Sequence, residues 1–268
     1  MLMCLDVGNT QVHGGIFKDD ELLFQFRKNT AYGLSSDELG IFLRGVLREN
    51  KVEAKHIEAV SVCSVVPHMD YSLKSAIRRY FTDKMIFVQP GVRSGLRIKY
   101  SNPAEVGSDR IVTALAAKQL YPNKELLVVD FGTASTVDAI NKEGDYLGGA
   151  IFSGPKLMGE ALETKTAKLP SVEIIRPQSV CGQSTVESIQ SGLYWSTVGA
   201  VKELTERFTT EVFNGENPVV VATGGLGKVF SQAKIFDYYH PDLALVGLHA
   251  IYIKNKDTLY SSYKEATL

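Results

Sequence analysis

The chain has 268 residues, 44% hydrophobic and 22% charged, and its 29 Lys and Arg against 30 Asp and Glu leave a net charge of -1. A chain of that length buries roughly 75% of its unfolded surface, which excludes disorder, and the balanced charge supplies no overall field to hold it on nucleic acid or a membrane. Apolar runs such as LLVVDFG and ENPVVVATGG stop far short of the ~20 residues of a membrane helix, and MLMCLDVGNT carries no basic leader. The three cysteines, Cys4, Cys63 and Cys181, lack CxxC spacing. A reducing, cytoplasmic setting is expected.

Along the chain, CLD, QVHGGIF and ELLFQFR read as three short strands separated by turns. A helix follows with Ser36 as its expected cap and Leu39, Phe42, Leu43, Val46 and Leu47 on one face. AVSVCSVVP is a β-branched strand ended by Pro67, His68 to Tyr80 a second helix, and MIFVQP another strand. The pattern then restarts. ELLVVD, ASTVDAI and DYLGGAI give three strands, a long helix begins near Ser184 or Thr185, NPVVVATGG is a strand, and a last helix covers part of Leu243 to Ile253.

The repetition is also literal, because CLDVGNT from Cys4 aligns with VVDFGTA from Val128 and places an aspartate and a glycine at matching steps. Two such copies, each ending a first strand, predict an α/β chain of two similar domains with a cleft between them. The boundary is expected in YPNKE, giving domains 1–120 and 121–268, with the last helix able to pack back on the first.

Three segments carry candidate chemistry. In DVGNT, Asp6 ends an apolar strand and suits a hydrated Mg²⁺, while Gly8, Asn9 and Thr10 form a turn that lets backbone approach a phosphate; an ordinary solvated hairpin turn is the bland alternative. ATGGLG after a strand offers a third glycine turn. In YSNPAEVGSDR, Asp109 and Arg110 open a helix, where Asp109 is either a favourable N-terminal charge or a base for a hydroxyl beside an anion-binding guanidinium. GGAIFSGPKL is too rich in glycine for a plain strand end and either lets substrate pass close to the backbone or forms an ordinary bulge or turn. Cys63 and His68 are expected to serve as core packing and a surface helix start ahead of catalysis, and Tyr194 and Trp195 to pack, with a dimer contact as the alternative.

Together DVGNT (Asp6 to Thr10), YSNPAEVGSDR (Tyr100 to Arg110), DFGTAST (Asp130 to Thr136), GGAI (Gly148 to Ile151), TAKLP (Thr166 to Pro170) and TGG (Thr223 to Gly225) resemble the type III pantothenate kinases. That family belongs to the acetate and sugar kinase, Hsp70 and actin superfamily of duplicated ribonuclease-H-like domains. The resemblance implies phosphorylation of pantothenate by ATP, the first step of coenzyme A biosynthesis. It implies that Asp6, Val7, Gly8, Asn9, Thr10, Gln11, Val12 and His13 line the ATP phosphates, with Thr133 facing ATP from the second domain. It further implies Asp109 as the base, Tyr100, Gly107, Ser108, Asp109 and Arg110 around pantothenate, Mg²⁺ held through water by Asp6, and K⁺ or NH₄⁺ on Asp130. Thr185 matches a threonine that reaches pantothenate from the partner subunit of a homodimer. Ser153, Ser184 and Trp195 depart from the family pattern and bear on loop path and helix packing. Two rivals remain: a kinase for another small hydroxyl compound, and an ATP-binding transcriptional accessory factor without turnover. Against the second, nucleic-acid contact would need a local excess of Lys and Arg, and SLKSAIRRY reads as a solvated helix face.

Overall fold

The computed structural model describes residues 1–89 and 92–265. The chain forms two compact units. In the first, β1 (Leu2–Val7), β2 (Gln11–Lys18) and β3 (Glu21–Asn29) make an antiparallel meander. On the other side of β1, β4 (Ala59–Ser64) and β5 (Met85–Phe87) add in parallel, giving the order β3-β2-β1-β4-β5. Of the expected strand MIFVQP, Pro90 lies outside the described residues.

The central strands read as unbroken apolar runs because both sheet faces are covered. Met3, Leu5, Val7, Val60 and Val62 pack against α1 (Ser36–Glu49) and α2 (Pro67–Tyr80) through Leu39, Leu43, Leu47, Met69, Leu73 and Ile77. Ser35, not Ser36, caps α1: its hydroxyl accepts the Glu38 amide and Glu38 accepts the Ser35 amide, a reciprocal box that needs the Ser-x-x-Glu spacing only Ser35 has. The alternate residues Leu2, Cys4, Ala59 and Cys63 face the other way and meet Val112 and Leu115 of α3 (Ser108–Leu120).

The second unit repeats the plan. β7 (Leu126–Phe131), β8 (Ala134–Ile140) and β9 (Asp145–Ser153) form the meander, and β10 (Val219–Thr223) and β11 (Tyr238–Tyr239) add in parallel beyond β7. A two-residue strand, β6 (Arg97–Ile98), joins the free edge of β9, so the order is β11-β10-β7-β8-β9-β6. β1 and β7 share one burial pattern, four buried residues, a half-buried aspartate and a buried apolar residue. This is a mixed α/β architecture of two ribonuclease-H-like sheets flanked by helices.

GGAIFSGPKL proves to be the end of β9 followed by a helix, α4 (Pro155–Lys165), with Pro155 at the first helical position where its missing amide is harmless. Tyr194, Val198 and Val201 of α5 (Thr185–Arg207) pack on Leu127, Val129 and Phe131. A single turn, α6 (Gly227–Phe230), follows β10, and the last helix, α7 (Leu243–Glu265), runs past the expected Ile253. The units do not part at a single point: residues 97–100 group with the second, residues 101–116 and the chain from Leu243 with the first. Leu245, Leu248 and Ile251 of α7 bury against Leu2, Cys4 and Ala59. Among the described residues, no helix is long and apolar enough to cross a membrane.

Candidate active site

In the first unit the site grows from the carboxyl ends of the parallel strands β1 and β4, the place where open α/β sheets take ligands. Asp6 is level with Cys63 and Val7 with Ser64. The Ser108 hydroxyl donates to the Ser64 carbonyl at 3.1 Å, which brings the first turn of α3, and with it Asp109, to the same strand ends. The Asp109 carboxylate folds back over Gly107, where any side chain would collide with Oδ1, and Oδ1 accepts the Arg110 amide at 2.8 Å. Arg110 is buried.

Asp6 is half-buried, and removal from water pushes its pKa up to about 6. The Cys63 thiol opposes this by donating to Oδ1 at 3.1 Å, the Asp109 charge raises it further, and Arg27 lowers it. Two carboxylates thus meet at one strand-end site, where Arg27 offsets part of the burden on Asp6. Among the described residues no group of three or more His, Cys, Asp or Glu could cage a metal. The donor set therefore fits a hard cation that keeps most of its waters, as Mg²⁺ does, and not a transition metal held by a full protein shell.

The turn after β1 is held by its neighbours. The Gly8 amide donates to the Gln11 carbonyl at 3.0 Å, so it closes the turn instead of pointing outward, and the Thr30 hydroxyl donates to the Gly8 carbonyl at 2.7 Å. Asn9, Thr10 and Gln11 are exposed, whereas Val7 and Val12 are buried in the core and present only main chain. His13 is buried, with Nε2 2.8 Å from the Gln25 amide oxygen.

In the second unit Asp130 occupies the place that Asp6 has in the first. Thr223 pairs with it across β10, and a Cβ on Gly224 would strike both Asp130 Oδ1 and the Phe131 backbone. Gly224 has φ +89, so glycine is favoured there twice over, for the turn and for the closeness of the carboxylate. The Gly154 amide donates to the Thr133 carbonyl at 3.0 Å, tying the glycine turn to the start of α4. Tyr100 belongs to this unit: β6 pairs with β9, the Lys99 amide donates to the Tyr146 carbonyl at 2.8 Å, and the Tyr100 ring lies over Gly148.

Thr185 is exposed at the start of α5, beside Ser184, whose hydroxyl caps the helix by accepting the Glu187 amide at 3.2 Å. Both line a groove of about 990 Å³ between α4 and α5, with Leu157, Leu162, Ile189 and Leu193 on its walls. Ser153 lines the same groove, while Tyr194 is fully buried and Trp195 packs edge-on against it, 37% exposed. Sequence reasoning missed Cys63, Ser64 and Arg27. Cys63 and Ser64 reach the end of β1 through the β1–β4 pairing, and Arg27 reaches Asp6 by way of His13, which pairs with both across the meander.

These features define a class. Duplicated sheets, each with an aspartate at the end of its first strand and a glycine turn beside it, belong to the fold of actin-like small-molecule kinases. A ROK family protein from Streptococcus pneumoniae, solved with sucrose, shares the fold over 96% of this chain and 99% of its own, with TM-score 0.52 and 12% identity. A Campylobacter jejuni structure described as a Baf family transcriptional activator shares it over 95% and 99%, with TM-score 0.58 and 17% identity. The family is fixed by sequence. Residues 2–207 match the model for type III pantothenate kinase. Proteins of that name from Legionella pneumophila and Elusimicrobium minutum are 49% and 42% identical, over 95% and 96% of this chain and 99% of each relative. The chain belongs to the type III pantothenate kinase family.

Proposed function

We propose that this chain carries out the reaction its family is named for, transfer of the γ-phosphoryl group of ATP to the hydroxyl of pantothenate, giving 4′-phosphopantothenate and ADP at the start of coenzyme A biosynthesis. The observation that supports the assignment of roles is the pairing of Asp6 and Asp109 at one strand-end site in the first unit. Asp109 accepts the proton of the attacking hydroxyl, whose oxygen forms the new P–O bond as the bond to the β-phosphate oxygen breaks. Arg110, with Gly107, Ser108 and Tyr100, orients pantothenate; a guanidinium suits the carboxylate of that substrate. Asn9, Thr10 and Gln11 take the ATP phosphates in the first unit, on a turn that Val7, Gly8, Val12 and His13 shape, and Thr133 takes them in the second.

Asp6 holds a divalent cation, Mg²⁺ in this reading, through its water shell. When bound, that ion neutralises charge on the phosphate oxygens. Asp130 is assigned a monovalent cation, K⁺ or NH₄⁺, on the ground that its carboxylate sits against two glycines, Gly132 and Gly224, leaving room close to the backbone. The enzyme acts in the cytoplasm as a homodimer, with Thr185 of one protomer completing the partner's site.

The test is ADP release by purified protein with ATP, Mg²⁺ and pantothenate, with and without K⁺, the product identified by mass. Formation of phosphopantothenate that depends on both additions supports the reading. A folded protein that phosphorylates a different hydroxyl compound, or none, overturns it.

A further inference from the structure

On β1 and β4 the residues facing α3 and α7 are apolar or weakly polar up to the strand ends, where Asp6 and Cys63 stand level with each other. Cys63 is wholly buried, and its Sγ lies 3.1 Å from Asp6 Oδ1. Among the described residues the side-chain hydrogen bond that Asp6 accepts is this one. The parallel register fixes both Cβ atoms on one face, so the contact follows from the sheet itself and does not depend on a loop.

We infer that Cys63 is a positioning residue for nucleotide-bound metal: its thiol holds Oδ1 of Asp6 and so turns Oδ2 toward the water shell of the divalent cation. A thiol suits this task because it is a weak donor. It fixes the rotamer of the carboxylate while drawing little charge from it, and leaves that charge for the cation. An alanine would leave Oδ1 without its donor at the end of an apolar face. The carboxylate would then choose among rotamers, and part of its binding energy for the hydrated ion would go into ordering it. The inference rests on the assignment of Asp6 to the metal.

The experiment compares wild type, Cys63→Ala and Cys63→Ser in their binding of ADP alone and of ADP with Mn²⁺, by calorimetry and by the electron paramagnetic resonance of bound Mn²⁺. Unfolding midpoints show which variants are folded. Cys63→Ala is expected to weaken Mn²⁺·ADP binding about fivefold, the equivalent of one lost hydrogen bond, and to leave metal-free ADP binding unchanged. Cys63→Ser, which keeps a donor, is expected to restore the wild-type value within about twofold. Equal losses with and without metal would mean that Cys63 only packs, and no loss in Cys63→Ala would remove it from the site; either overturns the inference. If Cys63→Ala fails to fold, Cys63→Val, which fills the same space without a donor, takes its place. The failure of the functional reading looks different. A wild type that binds Mn²⁺·ADP with the Cys63 dependence but does not phosphorylate pantothenate loses its acceptor and keeps this inference, whereas a wild type that binds no metal-nucleotide loses both.

Discussion

Tyr146 donates its phenolic hydrogen to Asp138 Oδ1 at 2.6 Å, and both side chains are closed off from solvent. The Thr136 hydroxyl donates to the other oxygen at 2.9 Å, so this buried carboxylate on β8 is held from both sides. The Tyr146 ring in turn lies 6.5 Å from that of Tyr100. Tyr146→Phe removes a hydrogen-bond partner from the buried Asp138 side chain and is expected to lower stability by about 1–3 kcal/mol, read from the urea midpoint. The KM for pantothenate should rise with the KM for ATP unchanged, because the ring network frames Tyr100. An unaltered urea midpoint would show that Asp138 replaces the bond without penalty.

Asp109→Asn keeps the shape of the side chain and its ability to accept the Arg110 amide, and removes the proton acceptor. Turnover should fall by about 10²–10⁴-fold, the usual worth of a general base, with little change in the affinity for Mg·ADP. A single-turnover rate near that of wild type would show that the hydroxyl proton leaves by another route.

The central halves of both sheets were legible in the sequence because their strands are buried on two faces and read as unbroken apolar runs. The echo of Asp6 in Asp130 was legible because both end such a run. What escaped was set by partners remote in the chain. Cys63 looks like a core residue in its own segment and meets Asp6 only through strand pairing 57 residues away. β6 is two residues long and owes its existence to the edge of β9. The start of α4 was hidden in a run of glycines, where Pro155 reads as a turn when it in fact opens a helix. The choice of Ser36 over Ser35 went wrong for a local reason, since two adjacent serines offer the same cap and only the spacing to Glu38 separates them.

The pKa of Asp6 predicts an unusual pH response in the nucleotide-free protein. Folding raises it from 3.8 to about 6 because burial disfavours the charge. The folded chain therefore holds this proton more tightly than the unfolded one. The stabilisation from this group is full below pH 3.8 and is lost as pH rises through about 6. Comparing wild type with Asp6→Asn between those limits isolates the contribution: the difference in unfolding free energy should move in favour of Asp6→Asn as pH rises. Metal binding needs the ionised form, so the affinity of wild type for Mn²⁺·ADP should fall as pH drops below about 6. A flat difference across the window would mean that Asp6 titrates as an ordinary carboxyl.

Gly224 and Gly225 stand side by side with opposite tolerances. At Gly224, φ is +89 and a Cβ would meet Asp130 Oδ1 and the Phe131 backbone; at Gly225 a Cβ meets nothing within 4 Å. Gly224→Ala should therefore lose about 1–3 kcal/mol of stability through backbone strain, and the crowding of Asp130 should abolish activation by K⁺. Gly225→Ala should melt within a degree or two of wild type, since it creates neither strain nor contact. Equal melting temperatures for the two variants would mean that the turn relaxes to accept the methyl group.

The assignment of Thr185 to a partner's site can be tested without knowing the interface. Thr185 is exposed on the groove between α4 and α5, whose walls are mainly apolar. An apolar groove of that size invites a second copy. Light scattering should give twice the mass of the chain. Thr185→Ala and Asp109→Asn are each expected to be nearly inactive for pantothenate, the first through binding and the second through chemistry. If the two residues serve one site from different protomers, a mixed dimer has one site that lacks both and one that lacks neither. After equilibration of an equal mixture, half the dimers are mixed and each restores one intact site, so about one quarter of the wild-type activity should return if subunits exchange at random. Subunit exchange is followed independently with a differently tagged partner. Full exchange with no recovered activity would place Thr185 and Asp109 in the same protomer's site, or Thr185 outside it altogether; the Thr185→Ala KM for pantothenate separates those two.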